Sequence, residues 1–258
     1  MRRLLVSVLA LAAPAVVQAQ NEPKAAVPDD PVAAHGQLVR DLEAAVTAWR
    51  EKARAAAAEP PADGKPIAAI SMVPPTAPFV KRAEELAKAF AGKDDAVRFL
   101  AFVCQNASQE RDAVLRAVRT LRTDHAKSAA IDGALDHLRS AFWLGARADA
   151  MALLDSVIDG NPAADVKAHA LLVRGNFRLQ AAQTAGQREA AEQDLRAAAS
   201  TTDNAALQKR AKDALFEIEH LQIGCTAPDI VAKDTDGAAM KLSDYRGKVI
   251  LLDFWGFW

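Results

Sequence analysis

Apolar residues recur at steps of three and four through most of this chain, the spacing of one face of a helix. Leu38, Leu42, Val46 and Trp49 form such a stripe in HGQLVRDLEAAVTAWREKARAAAA. The proline-rich EPPADGKPIAAISMVPPTAP then breaks the period, and its apolar centre, IAAISMV, is expected to pack as an extended segment. Helical spacing resumes in FVKRAEELAKAFAG, with Gly92 as the stop, and in KDDAVRFLAFVCQNA, with Asp94 as N-cap. QERDAVLRAVRTLRTDH follows, with Ser108 as cap and Glu110 in the first turn. SAAIDGALDHLRSAFWL, RADAMALLDSVIDG, DVKAHALLVRGNFRLQAAQ, QREAAEQDLRAAAS and NAALQKRAKDALFEIEHL complete the series. Their links are short and punctuated by Gly160-Asn161-Pro162, by Gly186 and by Thr202-Asp203-Asn204. This predicts a mostly α domain of antiparallel, repeat-like helical hairpins over residues 35–222.

After Leu221 the period changes. DTDG is placed to join two short strands, DIVAK and AAMKLS, as a hairpin. SDYRGK reads as a further turn, and VILLDFW is an unbroken apolar run of strand length. A strand without alternation is expected to be buried on both faces. The fold class is therefore mostly α, followed by the first β elements of an α/β domain over residues 223–258.

The chain has 258 residues, 51% of them hydrophobic and 25% charged, with a formal net charge of -1. That balance gives no electrostatic footprint for nucleic acid. The basic positions of LRAVRTLRTDHAK are expected to be a solvated face balanced by acidic neighbours. No glycine-rich phosphate loop or hydrolase elbow occurs. His35, His125, His137, His169 and His220 are scattered without ligand spacing, so no metal is expected. Phe142 and Trp143 are expected in a helix–helix core. Residues 146–180 faintly resemble a tetratricopeptide unit, with Gly175 at the close-packing position, although the repeat period is irregular.

The first residues, MRRLLVSVLALAAPAVVQAQ, read as a signal peptide over 1–19 cleaved after Ala19, with a basic start and a short apolar core. A Pro- and charge-rich leader over 20–34 is expected to be flexible. The mature protein is then exported to a periplasm-like space with no stable membrane span. Cys104 and Cys225 are the only cysteines. They do not make a disulfide framework, and Cys104 reads as a small buried hydrophobe.

The C-terminal residues also carry a resemblance. Gly224-x-x-Ala227-Pro228-Asp229, Asp234-x-Asp236-Gly237, Leu242-Ser-Asp-Tyr-Arg-Gly-Lys248 and Val249–Trp255 stand in order. Together they resemble the entry into a redoxin domain of the exported thioredoxin-like TlpA/ResA kind, within the AhpC/TSA superfamily. The resemblance implies that the last residues are the first part of an incomplete thioredoxin-like domain, cut just before a Cys-x-x-Cys. Neither cysteine present matches an active-site position. It further implies thiol–disulfide oxidoreductase activity in the full-length form, with protein disulfides or dithiols, or a redox partner, as substrates and no cofactor. Under it Asp253 is a candidate buried proton relay, and Trp255 and Trp258 form an active-site rim with Phe257. Two alternatives remain: a helical, protein-binding scaffold with an inert redoxin segment, and a thiol peroxidase with antioxidant activity. Gly256-Phe257-Trp258 directly after the apolar run favours the oxidoreductase over the peroxidase.

Overall fold

The computed structural model describes residues 29–58, 73–253 and 255–256. The signal peptide, most of the leader, all of the IAAISMV segment but Val73, and Trp258 lie outside the described residues. Helix α1 spans Pro31–Ala58. Asp30 Oδ1 accepts from the amides of Val32 and Ala33 at 2.8 and 3.1 Å, and Pro31 fills the first position, where no amide is needed. Helix therefore begins inside the expected leader. Leu38 and Leu42 of the predicted stripe are buried, and Val46 packs at its edge.

Helices α2 (Ala77–Ala89) and α3 (Ala96–Asn106) pack together. Val97 and every residue from Phe99 to Cys104 are buried in α3. A helix apolar on all sides belongs at a core's centre, and α3 touches α2, α4 (Arg111–Thr120), α5 (Asp132–Leu135) and α6 (Arg139–Trp143). The predicted N-caps shift locally. Asp95, not Asp94, precedes α3, and Asp94 instead accepts from the Ser128 hydroxyl at 2.6 Å. Glu110 precedes α4, and its carboxylate takes the amides of Ser108 and Gln109. Ser108 meets Thr76 through its hydroxyl at 3.0 Å.

Helix α4 runs into a π turn, Leu121–His125. The single helix predicted over SAAIDGALDHLRSAFWL is broken into a 3-10 turn (Ala129–Ile131), α5, another 3-10 turn (Asp136–Leu138) and α6. Asp132, Gly133, Asp136 and Ser140 are weak helix formers, which suits a segment turning around α3. Phe142 is half-buried against Phe177, with ring centroids 4.8 Å apart. Trp143 is 69% exposed, contrary to the core placement expected for the pair; the short α6 turns only one of two adjacent rings inward.

Helices α7 (Arg147–Gly160), α8 (Ala164–Ala181), α9 (Ala185–Thr201) and α10 (Ala205–His220) follow through short links. Asn161 is buried and donates to the carbonyls of Ala126 and Ser128 at 2.8 and 2.9 Å. Gly186 lies inside the first turn of α9, whose cap is the Thr184/Gln187 box. Asn204 caps α10 through the amides of Ala206 and Leu207. A Cβ on Gly175 would lie 2.9 Å from Leu195 and 3.2 Å from the Ala191 carbonyl, so α8 and α9 meet where only glycine fits. Leu171, Leu172, Leu195, Ala198, Ala211 and Ile218 form a second core among α8, α9 and α10. Among the described residues, no helix is long and apolar enough to cross a membrane. The chain is mostly α, and the described sheet is one small antiparallel pair.

Candidate functional site

The C-terminal segment is built on the predicted hairpin. Strands β1 (Val231–Lys233) and β2 (Ala239–Lys241) pair antiparallel, with Val231 opposite Lys241 and Ala232 opposite Met240. The turn is held by Asp234. Its Oδ1 accepts from the amides of Asp236 and Ala238 at 3.0 and 2.8 Å, and its carbonyl accepts from Gly237. Gly237 has φ 83°, a conformation that glycine adopts without strain. Asp229 clasps the far end. It takes both the amide and the hydroxyl of Ser243 at 2.8 Å, and this holds its carboxyl below the usual carboxylate range. The Asp of the Ala-Pro-Asp motif thus ties the segment's entry to its 3-10 turn, Leu242–Tyr245.

The apolar run beyond Gly247 departs from expectation. Lys248–Asp253 form no strand, and Val249 and Leu251 are exposed. Ile250 and Leu252 are partly covered and line a groove of about 290 Å³ with Ala227, Pro228, Leu242 and Tyr245. Ile250 and Leu252 still keep 41% and 48% of their surface exposed, so no residue of the run is buried. Among the described residues no strand lies beside this run to complete a ladder of hydrogen bonds.

Of the site residues read from the sequence, Asp253 is exposed rather than buried. Trp255 is 74% exposed. Trp258 lies outside the described residues. Neither Asp253 nor Trp255 lies in a helix or strand.

Cys104 and Cys225 are both free thiols. Burial pushes the Cys104 thiol up to about 12, so it carries no thiolate at neutral pH. Cys225 is exposed and points its Sγ at the Glu219 carbonyl. We predict one reactive thiol per native chain and two after denaturation, measured by titration with a disulfide reagent. Two reactive thiols in native buffer would contradict the burial of Cys104.

Two ionic clusters were not found by sequence reading. His169 on α8 contacts Asp132 Oδ1 at 2.7 Å and Asp136 Oδ1 at 3.0 Å, and Arg210 on α10 donates to Asp136 at 2.7 Å. Arg174 on α8 joins Asp194 on α9 through two bonds of 2.9 and 2.6 Å and reaches Asp155 at 2.6 Å. The Asp132/Asp136 spacing was legible as one helix face. Their partners stand 37 and 74 positions away, and no local pattern reaches that far. The basic face of α4 is balanced as expected, Arg116 by Glu84 at 2.8 Å and Arg119 by Asp149 at 2.7 Å.

Comparison with known proteins adds a short likeness. The chain is 53% identical over 36 residues to the thiol-disulfide oxidoreductase ResA of Geobacillus thermodenitrificans, covering 14% of this chain and 21% of that protein. It is 56% identical over 36 residues to ResA of Geobacillus kaustophilus, with the same coverage. With ResA of Bacillus subtilis it shares 45% over 40 residues, 16% of this chain and 22% of that protein. The match thus spans about a fifth of the length of these relatives. No family model and no solved structure matches the chain. The short likenesses support a thioredoxin-like relationship, and a redox function in general, for the part of the chain that they cover.

Proposed function

We propose that the whole protein is an exported thiol–disulfide oxidoreductase, with a helical domain over residues 35–222 joined to a thioredoxin-like domain that begins at residue 223. The observation that supports it is the likeness to the ResA proteins, together with a hairpin folded where the motifs fall. The reaction requires a Cys-x-x-Cys, which residues 1–258 do not contain. One thiolate attacks a substrate disulfide and releases one substrate thiol. The second thiolate then attacks the mixed disulfide, which frees the other substrate thiol and leaves the pair oxidised. In this reading Asp253 relays the proton of the second cysteine, Trp255 and Trp258 rim the reacting sulfurs, and the helical domain positions protein substrates or a redox partner. Signal cleavage after Ala19 delivers the protein to a periplasm-like space.

Residues 1–258 alone should not reduce insulin disulfides, because Cys104 is sealed and Cys225 has no resolving thiol near it in sequence. Native protein, recovered from its host through the helical domain, should have a mass exceeding that of residues 20–258. It should also hold a reducible cysteine pair and reduce insulin. A native mass ending at Trp258 would sink the oxidoreductase reading in favour of the helical scaffold. One isolated additional cysteine would favour the peroxidase.

A further inference from the structure

A cavity of about 310 Å³ opens among α2, α3, α4 and the π turn, far in sequence from the redoxin-like segment. Its walls include Ala87, Ala91, Ala96, Leu100 and Ala117. Alanines at so many facing positions leave a gap that larger side chains would have filled. The volume is in the range of small-molecule sites, and apolar cavities about half this size hold a benzene ring.

His125 forms part of the same wall. It is only 3% exposed, and its Nε2 is buried with no hydrogen-bond partner. A buried nitrogen without a partner forfeits its hydration, a cost that a ligand atom can relieve. The ring is presented by the π turn Leu121–His125, and single π turns inside helices recur at functional sites. The charges around the cavity are largely committed. Arg116 is paired with Glu84 and Arg119 with Asp149. The other two, Lys88 and Asp124, are opposite in sign, so the lining favours neither an anion nor a cation.

We propose that this cavity binds a small uncharged apolar compound carrying one hydroxyl, a phenol being the simplest member, with the hydroxyl bonded to His125 Nε2. The apolar body replaces water against the alanines. Nε2 is closed to solvent in the ligand-free protein, so the ring turns toward the cavity for the hydroxyl to reach it.

The test uses the 258-residue chain with phenol, toluene and benzoate, followed by calorimetry and by the nitrogen chemical shift of His125 Nε2. Phenol should bind about five-fold tighter than toluene, the worth of one hydrogen bond of about 1 kcal/mol, and should move the Nε2 signal. Benzoate should bind at least ten-fold weaker than phenol. Ala91→Leu, at an exposed position on the cavity mouth, should remove binding of both neutral probes without loss of fold. His125→Phe should keep the fold and bind phenol and toluene equally. The proposal is overturned if no probe binds, if toluene or benzoate matches phenol in the unaltered chain, or if Ala91→Leu binds as before. If His125→Phe does not fold, the unaltered chain decides, and an Nε2 signal that phenol does not move overturns the proposal.

Discussion

Asp194→Ala should destabilise the helical domain by about 3 kcal/mol, read as a lower urea midpoint with an unchanged slope. Asp194 is 5% exposed. It accepts two bonds from Arg174, and Arg178 adds a third at 2.8 Å. Removing the carboxylate leaves two guanidinium groups close together, one of them largely buried. Breaking a buried pair from one side costs about 3–5 kcal/mol because the other charge stays behind. Arg174 keeps Asp155, and Arg178 remains a third exposed, which places the loss at the lower end. Replacing Arg174 and Asp194 together with Met and Leu should recover part of the loss, since the more buried of the two orphaned guanidinium groups is then gone while Arg178 and Asp155 turn to solvent. A single-variant loss below about 1 kcal/mol, the value for exposed pairs, would show that water reaches the cluster. The same helices meet at Gly175, where Leu195 leaves no room for a Cβ, so α8 has little freedom to move away from a repulsive contact.

What could be read in advance divides by the range of the interaction. The 3.6-residue period located α1 to α4 and α7 to α10, because each buries one face within a window of local sequence. DTDG located the hairpin because Asp234 and Gly237 complete the turn between themselves. Gly175 was recognised as a close-packing position from the faint resemblance of residues 146–180 to a tetratricopeptide unit, and the close approach of Leu195 agrees with it. The expected long helix over 128–144 failed because apolar periodicity outweighed the weak propensities of Asp132, Gly133 and Asp136. Trp143 was misplaced because adjacent rings cannot share one helix face. The run Lys248–Asp253 was misjudged for a different reason. Burial on two faces is a property of neighbouring strands, and a strand-like sequence does not supply them. The candidate site is legible only as motif order, since its chemistry rests on residues that these elements do not contain.

Raising the pH from 6.5 to 9.5 should remove about 2 kcal/mol of stability through His169 alone. Burial lowers the basicity of this imidazole, but the carboxylates of Asp132 and Asp136 outweigh it and raise the pKa to about 9. The bond from His169 in turn holds Asp136 below the usual carboxylate range, with Arg210 adding to the effect. At neutral pH the ring is therefore an imidazolium that donates from both nitrogens, flanked by Asp132, Asp136 and the Arg210 guanidinium 3.4 Å from Nε2. A raised pKa means that the stabilisation is complete below about pH 6.5, the unfolded value, and fades as pH rises through 9. A shift of that size corresponds to about 3 kcal/mol, and half-exposed carboxylates screened by water reduce it to about 2. Urea unfolding of the unaltered chain and of His169→Gln across this range isolates the effect from lysines and from Tyr245. The two stability curves should converge as pH rises, and curves that stay parallel would show that the ring does not titrate there. Because Asp132 and Asp136 lie on the segment after α4 and His169 on α8, the deprotonated ring weakens the link between these two elements, whereas Arg210, itself a cation, keeps Asp136 and loses a repulsive neighbour. Amide exchange over residues 132–138 should therefore gain more, after correction for the intrinsic pH dependence, than exchange in α2, which packs on α1, α3 and α4.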